Sequence, residues 1–164
     1  MITRLVVTSA VIAAGLLLPA AAVAERPNFV VVMTDDQPAD SLAVMNQLHR
    51  GIAEQGVTFR QHFISFPLCC PSRATFLTGQ YAHNHGVEDN AGPKGGFGGF
   101  RDSGTLPIAL RRSGYQTGLF GKYLNGYGGR GVPPGWSSWN AVTRPAEMFN
   151  PLLNVNGRLN RIRG

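Results

Sequence analysis

Residues 28–34 read Asn-Phe-Val-Val-Val-Met-Thr, a continuous apolar and β-branched run that ends on two carboxylates, Asp35 and Asp36. A strand that is apolar on both faces must be covered on both, as parallel strands are inside layered α/β domains. The rest of the chain fits that frame. Ser41–Gln55 carries Leu42, Met45, Leu48 and Ile52 at helical spacing, with Asp40 or Ser41 to cap its start and Gly56 its end. Val57–Ser65 reads as a second strand, with Val57, Phe59 and Phe63 apolar. A helix over Ser72–Gly79 follows. Gly92–Gly104 is glycine-rich and reads as a loop. Thr105 can cap a helix through Arg112, stopped by Gly114, and Tyr115–Phe120 reads as a third strand. Leu152–Ile162 reads as a hairpin turning on Asn156-Gly157 in a type I′ turn. Strand–helix alternation of this kind predicts a mostly parallel α/β sheet, and the sequence contains no internal repeat.

In such sheets chemistry gathers at the carboxyl ends of the strands. Asp35 and Asp36 follow the first predicted strand, Cys69 follows the second and Lys122 the third, so residues distant in sequence should meet on one edge. Cys69-Cys70-Pro71-Ser72-Arg73 places a thiol just ahead of a predicted helix start, where free N–H groups and the helix dipole favour negative charge. Pro71 suits the first helical turn because it has no N–H to leave unpaired. Arg73 adds a planar fork of donors matched to tetrahedral oxyanions. The segment thus combines a nucleophile with an anion clamp. A Cys/His hydrolase using His83 or His85 and a buried structural cysteine are the alternatives. A disulfide between the adjacent Cys69 and Cys70 would have poor geometry. Asp35-Asp36 suits a hard cation such as Ca²⁺ or Mg²⁺, or a helix N-cap pair. His83 and His85 have the H-x-H spacing of a metal site, although a loop near substrate is the favoured reading.

The amino terminus reads as an export signal. A positive start (Met1–Arg4) precedes an uncharged apolar stretch (Leu5–Leu18) and a small-residue cleavage site, Ala22-Val23-Ala24. The apolar run is shorter than the roughly 20 residues that span a bilayer. Residues 1–24 are therefore expected to be a signal peptide cut after Ala24, leaving 25–164 as a secreted or periplasmic domain with no membrane attachment after cleavage. Two adjacent cysteines in an exported chain are not a disulfide scaffold. Of the 15 Lys and Arg residues only Arg4 lies in the leader, against 9 Asp and Glu, so the mature charge is about +5. No Lys/Arg run or aromatic-interleaved basic stripe is present, which excludes nucleic acid as the expected partner. A basic balance suits an anionic substrate.

The pattern C-x-P-S-R-x-x-x-L-T-G from Cys69 to Gly79 resembles the signature of the type I sulfatases. Arg26–Gln37 resembles the opening of that family. Tyr81-Ala82-His83-Asn84-His85, Gly121-Lys122-Tyr123-Leu124-Asn125 and Val132-Pro133-Pro134-Gly135-Trp136 resemble its N-acetylglucosamine-6-sulfatase and extracellular glucosamine-6-sulfatase branch. The resemblance covers about residues 26–160. It implies an alkaline-phosphatase-like sulfatase fold, of which this chain would be the N-terminal portion. It implies that Cys69 is converted to formylglycine (3-oxoalanine) by a formylglycine-generating enzyme, and that Asp35, Asp36 and residue 69 bind Ca²⁺ in preference to Mg²⁺. It implies Arg73 and Lys122 as catalytic partners of residue 69, with His83 and His85 near a sulfated carbohydrate substrate. The implied reaction is sulfate-ester hydrolysis: the hydrated aldehyde attacks sulfur, the sugar alcohol leaves, and the second hydroxyl expels sulfate. Many family members carry His two residues after the lysine, where this chain has Leu124. They are also longer, and later segments supply a further Asp/Asn pair, a His and a second Lys. A non-catalytic truncated product that binds anionic glycans, and a phosphomonoester or phosphonate hydrolase of the same fold, are the competing expectations.

Overall fold

A computed structural model describes residues 26–144 and 149–163. The chain divides after Thr34 into two units. In the first, residues 26–34 carry no regular secondary structure, and Phe29, Val30, Val31 and Val32 are well exposed. The strand expected over 28–34 is therefore absent. The second expected strand, Val57–Ser65, is absent too, with Val57 and Phe59 each 78% exposed. Both segments have strand-like composition. A strand also needs a neighbour to bond and a surface to pack on, and among the described residues no ladder reaches either segment. The predicted leader and its cleavage site lie outside the described residues.

The helix expected over Ser41–Gln55 is broken into a 3₁₀ segment (Ala39–Val44), a short α1 (Asn46–Leu48) and a π turn (His49–Ala53). Met45 sits between the first two with φ −92° and ψ 67°, outside the helical region. Its apolar stripe is exposed, with Leu42 at 37% and Ile52 at 61%, so no packed face holds the segment in one helical form.

From Cys69 onward the chain forms α2 (Cys69–Thr78), α3 (Ala82–His85), α4 (Gly96–Gly99) and α5 (Leu106–Arg112). Cys70, Ala74 and Leu77 stand at i, i+4 and i+7 and are buried, so α2 turns one stripe inward. It stops at Gly79, whose φ of +69° is the left-handed C-cap that glycine adopts without penalty. Cys69 is the first residue of the helix rather than the residue ahead of it. Thr105 occupies the N-cap position of α5 but makes no side-chain capping bond, its hydroxyl donating instead to the Asp102 carbonyl (3.3 Å), and Gly114 follows the helix end. The glycine-rich stretch is not loop throughout, since it contains α4 and a 3₁₀ turn at Asp102–Gly104.

Four strands form one sheet in the order β1 (Gly118–Gly121), β2 (Ser138–Val142), β3 (Leu152–Val155) and β4 (Arg158–Arg161). β1 and β2 are parallel, with Phe120 opposite Asn140, whereas β2–β3 and β3–β4 are antiparallel. The α/β class holds, and the sheet is mixed where the sequence pattern predicted a mostly parallel one. The third predicted strand survives in shortened form as β1. The hairpin forms as read, with Asn156 at φ +49° and Gly157 at φ +91°, the paired positive values of a type I′ turn.

The core lies between α2 and the sheet. Trp139 and Ala141 of β2 meet Tyr123, Leu124 and Tyr127 from the segment after β1, together with Val87 and Phe100. Tyr123 and Tyr127 pack edge-on to Trp139 with ring centroids 5.0 and 5.4 Å away. Polar atoms buried with them find partners, apart from Asn125 Oδ1, which has none. Trp139 Nε1 donates to Tyr127 Oη (2.8 Å), and the buried Asn154 amide donates to Tyr127 Oη and to the carbonyls of Gly129 and Gly131. This network pins the chain between β1 and β2 directly after Lys122.

Candidate active site

Three elements of the second unit meet at one carboxylate. Arg73 projects from the second turn of α2, Lys122 follows β1, and Asp35 opens the unit. Asp35 Oδ2 accepts from Arg73 Nη2 at 2.8 Å and from Lys122 Nζ at 2.9 Å. Arg73 Nη1 donates to the backbone carbonyl of Lys122 at 2.8 Å, so its fork ties the carboxylate to the end of β1. Cys69 Sγ lies 3.9 Å from Asp35 Oδ1. Asp35, Asp36 and Cys69 each offer a ligand atom, all within 4.8 Å of one another. Asp36 is held at φ +51°, a left-handed conformation that aspartate tolerates better than most residues.

The side chains of Arg73 and Lys122 are only 12% and 16% exposed, so the two cations depend on the shared carboxylate. Burial pushes the Asp35 carboxyl up, but hydrogen bonds and charge from Lys122 and Arg73 outweigh it and hold the group below its ordinary range. Burial likewise pulls Lys122 down, and contacts with Asp35 and Cys69 reverse this and raise it. The cluster is ionised: one anion between two cations, beside a thiol at a helix start.

Asp35, Asp36, Cys69, Arg73 and Lys122 thus come together as the sequence suggested, although neither of the first two predicted strands carries them. His83 and His85 do not join them through any described hydrogen bond or ion pair. His83 stacks on Tyr81 at 5.9 Å. Both ring nitrogens of His85 are engaged within the chain: Nε2 with Thr75 Oγ1 (3.1 Å), and Nδ1 as acceptor for the Val87 N–H (3.1 Å). Burial pulls the His85 pKa down, in keeping with a neutral ring that fastens α3 to α2. Leu124, where many sulfatases have His, is 1% exposed and belongs to the core. The sequence reading missed Asn90 and Asn125, which grip Cys70. Cys70 N–H donates to Asn90 Oδ1 (2.8 Å), and Asn125 N–H donates to Cys70 Sγ (3.1 Å). Asn125 lies three residues after Lys122, which was a usable signal. Asn90 carried none, because an asparagine before a glycine-rich stretch reads first as a turn residue.

The sulfatase family profile matches residues 27–146. The chain is 40% identical over 153 residues to the N-acetylglucosamine-6-sulfatase of Homo sapiens, covering 84% of this chain and 27% of that protein. It is 37% identical over 139 residues to an extracellular sulfatase SULF-1 homolog of Drosophila melanogaster, covering 81% of this chain and 12% of the relative. An arylsulfatase of Volvox carteri is 36% identical over 153 residues, at 85% and 24% coverage. The chain belongs to the sulfatase family, and it spans roughly an eighth to a quarter of the length of these relatives. Among the described residues no helix is long and apolar enough to cross a membrane.

Proposed function

We propose that this chain is the N-terminal part, residues 25–164 after signal cleavage at Ala24, of a secreted or periplasmic sulfatase acting on a sulfated sugar of the glucosamine 6-sulfate type. The observation that carries the reading is the convergence of Asp35, Arg73 and Lys122 on Cys69 within the C-x-P-S-R segment. The 40% identity to N-acetylglucosamine-6-sulfatase supports the substrate class.

The donor set fits a hard divalent cation once residue 69 is oxidised. Asp35 and Asp36 offer carboxylate oxygens suited to Ca²⁺, whereas a cysteine sulfur is a poor ligand for it. Conversion of Cys69 to formylglycine by a maturation enzyme would replace that sulfur with oxygen and make the set uniformly hard. When bound, Ca²⁺ would acidify the hydrated formylglycine hydroxyl that serves as nucleophile toward sulfur. Arg73 and Lys122 would orient the sulfate group and stabilise the charge that grows on its oxygens. Arg73 reaches with a rigid fork, and Lys122 with a mobile ammonium that can leave Asp35 for the substrate. His85 acts by holding α3 on α2, and His83 remains the histidine available to approach substrate.

The test is co-expression with a formylglycine-generating enzyme, mass analysis of the peptide bearing residue 69, and assay with Ca²⁺. The substrates are glucosamine 6-sulfate, an aryl sulfate, and phosphate and phosphonate monoesters. We expect modification at Cys69 and not Cys70, with little or no sulfate release by this chain alone and any release abolished by Cys69→Ala. Turnover by this chain should lie below that of its longer relatives, because Asp35, Asp36 and residue 69 alone supply few of the six to eight oxygens Ca²⁺ takes. Faster turnover of phosphate or phosphonate esters, or an unmodified Cys69 beside a modified control sulfatase, would overturn the reading.

A further inference from the structure

The first turn of α2 carries residue 69, yet the helix has no cap of its own. Leu68 stands at the N-cap and makes no side-chain capping bond. Helix starts leave their first N–H groups without intrahelical partners. Pro71 has none to leave, and Ser72 N–H already bonds the Leu68 carbonyl at 3.0 Å. The Cys70 N–H is answered from twenty residues further along the chain, by Asn90 Oδ1 at 2.8 Å. Cys70 is fully buried and is held at a second point, where its sulfur accepts the Asn125 N–H.

Asn90 is itself fixed by the glycine-rich segment. Gly96 N–H donates to the Asp89 carbonyl (3.0 Å), and Phe97 N–H donates to the Asn125 carbonyl (2.8 Å). Gly96 has φ +60°, and a Cβ there would sit 2.7 Å from the Asn90 carbonyl oxygen and 2.8 Å from that of Asn125. Glycine is therefore required both by conformation and by the close approach of two backbones. The result is a closed ring from Cys70 to Asn90, through Gly96 and Phe97 to Asn125, and back to the Cys70 sulfur. Residue 69 is the neighbour of the residue this ring grips.

We propose that Asn90 is a positioning residue for the nucleophile at residue 69, acting as a helix cap supplied across the chain and braced by Gly96. The proposal rests on the reading of residue 69 as nucleophile. Its mechanical part stands on geometry alone. Reacting groups misplaced by about 1 Å can lose on the order of 10² in rate, so a site on an uncapped first turn gains directly from such a brace.

The experiment is hydrogen exchange on the full chain with Cys69 unmodified, together with the rate of Cys69 alkylation by iodoacetamide. Losing a cap typically opens a helix start about fivefold more often. Asn90→Ala should speed exchange at Ser72 and Arg73 about fivefold, and Cys69 alkylation by a similar factor, while amides of α5 keep their protection. Asn90→Asp retains the acceptor and should restore protection in the first turn of α2. Asn90→Gln overreaches by one methylene and should not. Gly96→Ala should loosen the same turn. If Asn90→Ala does not fold, the contrast between Asp and Gln decides the matter. Equal acceleration in α2 and α5, no acceleration, or equal behaviour of Asp and Gln would overturn the proposal. None of these readouts uses turnover. A Cys69 left unmodified beside a modified control sulfatase, in a chain that shows this exchange pattern, would sink the sulfatase reading and leave the brace standing.

Discussion

Replacing Asp35 by Asn removes the one charge that holds Arg73 and Lys122 together while keeping the side chain's shape. Both cations lose a charge-assisted hydrogen bond, at 2.8 and 2.9 Å. Such bonds contribute roughly 1.5–3 kcal/mol each when well shielded. The Asp35 side chain is 36% exposed, so solvent screening reduces that figure, and about 1 kcal/mol per bond is the reasonable scale. An asparagine can offer its oxygen to one cation only, and its amide then faces the other donor. The expected loss is about 2 kcal/mol, or roughly 4–8 °C in melting temperature for a chain of this size. Thermal and urea unfolding at neutral pH and low salt, with a chelator present, measure it. Added salt should narrow the gap between wild type and variant, since screening weakens the wild-type pairs. A loss under about 0.5 kcal/mol, or a gap independent of salt, would refute the claim that this carboxylate organises the site.

The same cluster predicts metal dependence: Ca²⁺ should raise the melting temperature of matured protein, and Asp35→Asn or Asp36→Asn should abolish the rise, as calorimetry or dye-monitored melting would reveal. His85 predicts a pH window. Its folded pKa lies below the ordinary 6.5, so its neutral form contributes stability that is complete above about pH 6.5 and declines as pH falls through the lowered folded value. Urea midpoints between pH 7.5 and 5 should fall in wild type and flatten over that window in His85→Gln. Gly135→Ala should cost more than about 3 kcal/mol by urea titration. Its φ is +90° and a Cβ would lie 2.6 Å from the Ile108 backbone nitrogen. Trp139→Phe should cost about 2–3 kcal/mol in the same assay, because Tyr127 Oη loses the indole donor inside the core.

Local signals in the sequence were reliable where the structure they specify is also local. Gly79 ends α2 and Gly114 follows α5 because a left-handed residue stops a helix without help from distant chain. Asn156-Gly157 makes its turn for the same reason. The segments 28–34, 41–55 and 57–65 were misread because their pattern describes burial, and burial depends on partners. Val30 and Phe63 are 89% and 83% exposed, and no described strand lies beside them. Periodicity can say that a segment would suit a covered sheet, but the covering surface belongs to other residues.

The site was legible even though two of the strands expected to deliver it were not. Strand ends were the argument for convergence, yet only Lys122 follows a strand. Asp35 is brought to Cys69 by charge, through Arg73 on α2 and Lys122 beyond β1. Those two residues stand on the best-packed parts of the molecule, α2 with its buried Cys70, Ala74 and Leu77, and the segment locked by Tyr123, Leu124 and Tyr127. Two cations held beside the core pair with one carboxylate at the end of a segment that has no regular secondary structure. The residue types around Cys69 therefore encoded the assembly more directly than the secondary-structure pattern did. Asn90 and Asn125 remained hidden because each works through a single atom on a residue, Cys70, that has no chemistry of its own to advertise. On this argument the rigid half of the site is α2 with its brace, and the adaptable half is Asp35–Asp36. Asn90→Ala should therefore loosen residue 69 in the presence or absence of metal. Asp35→Asn should matter most when metal or the paired cations must be held.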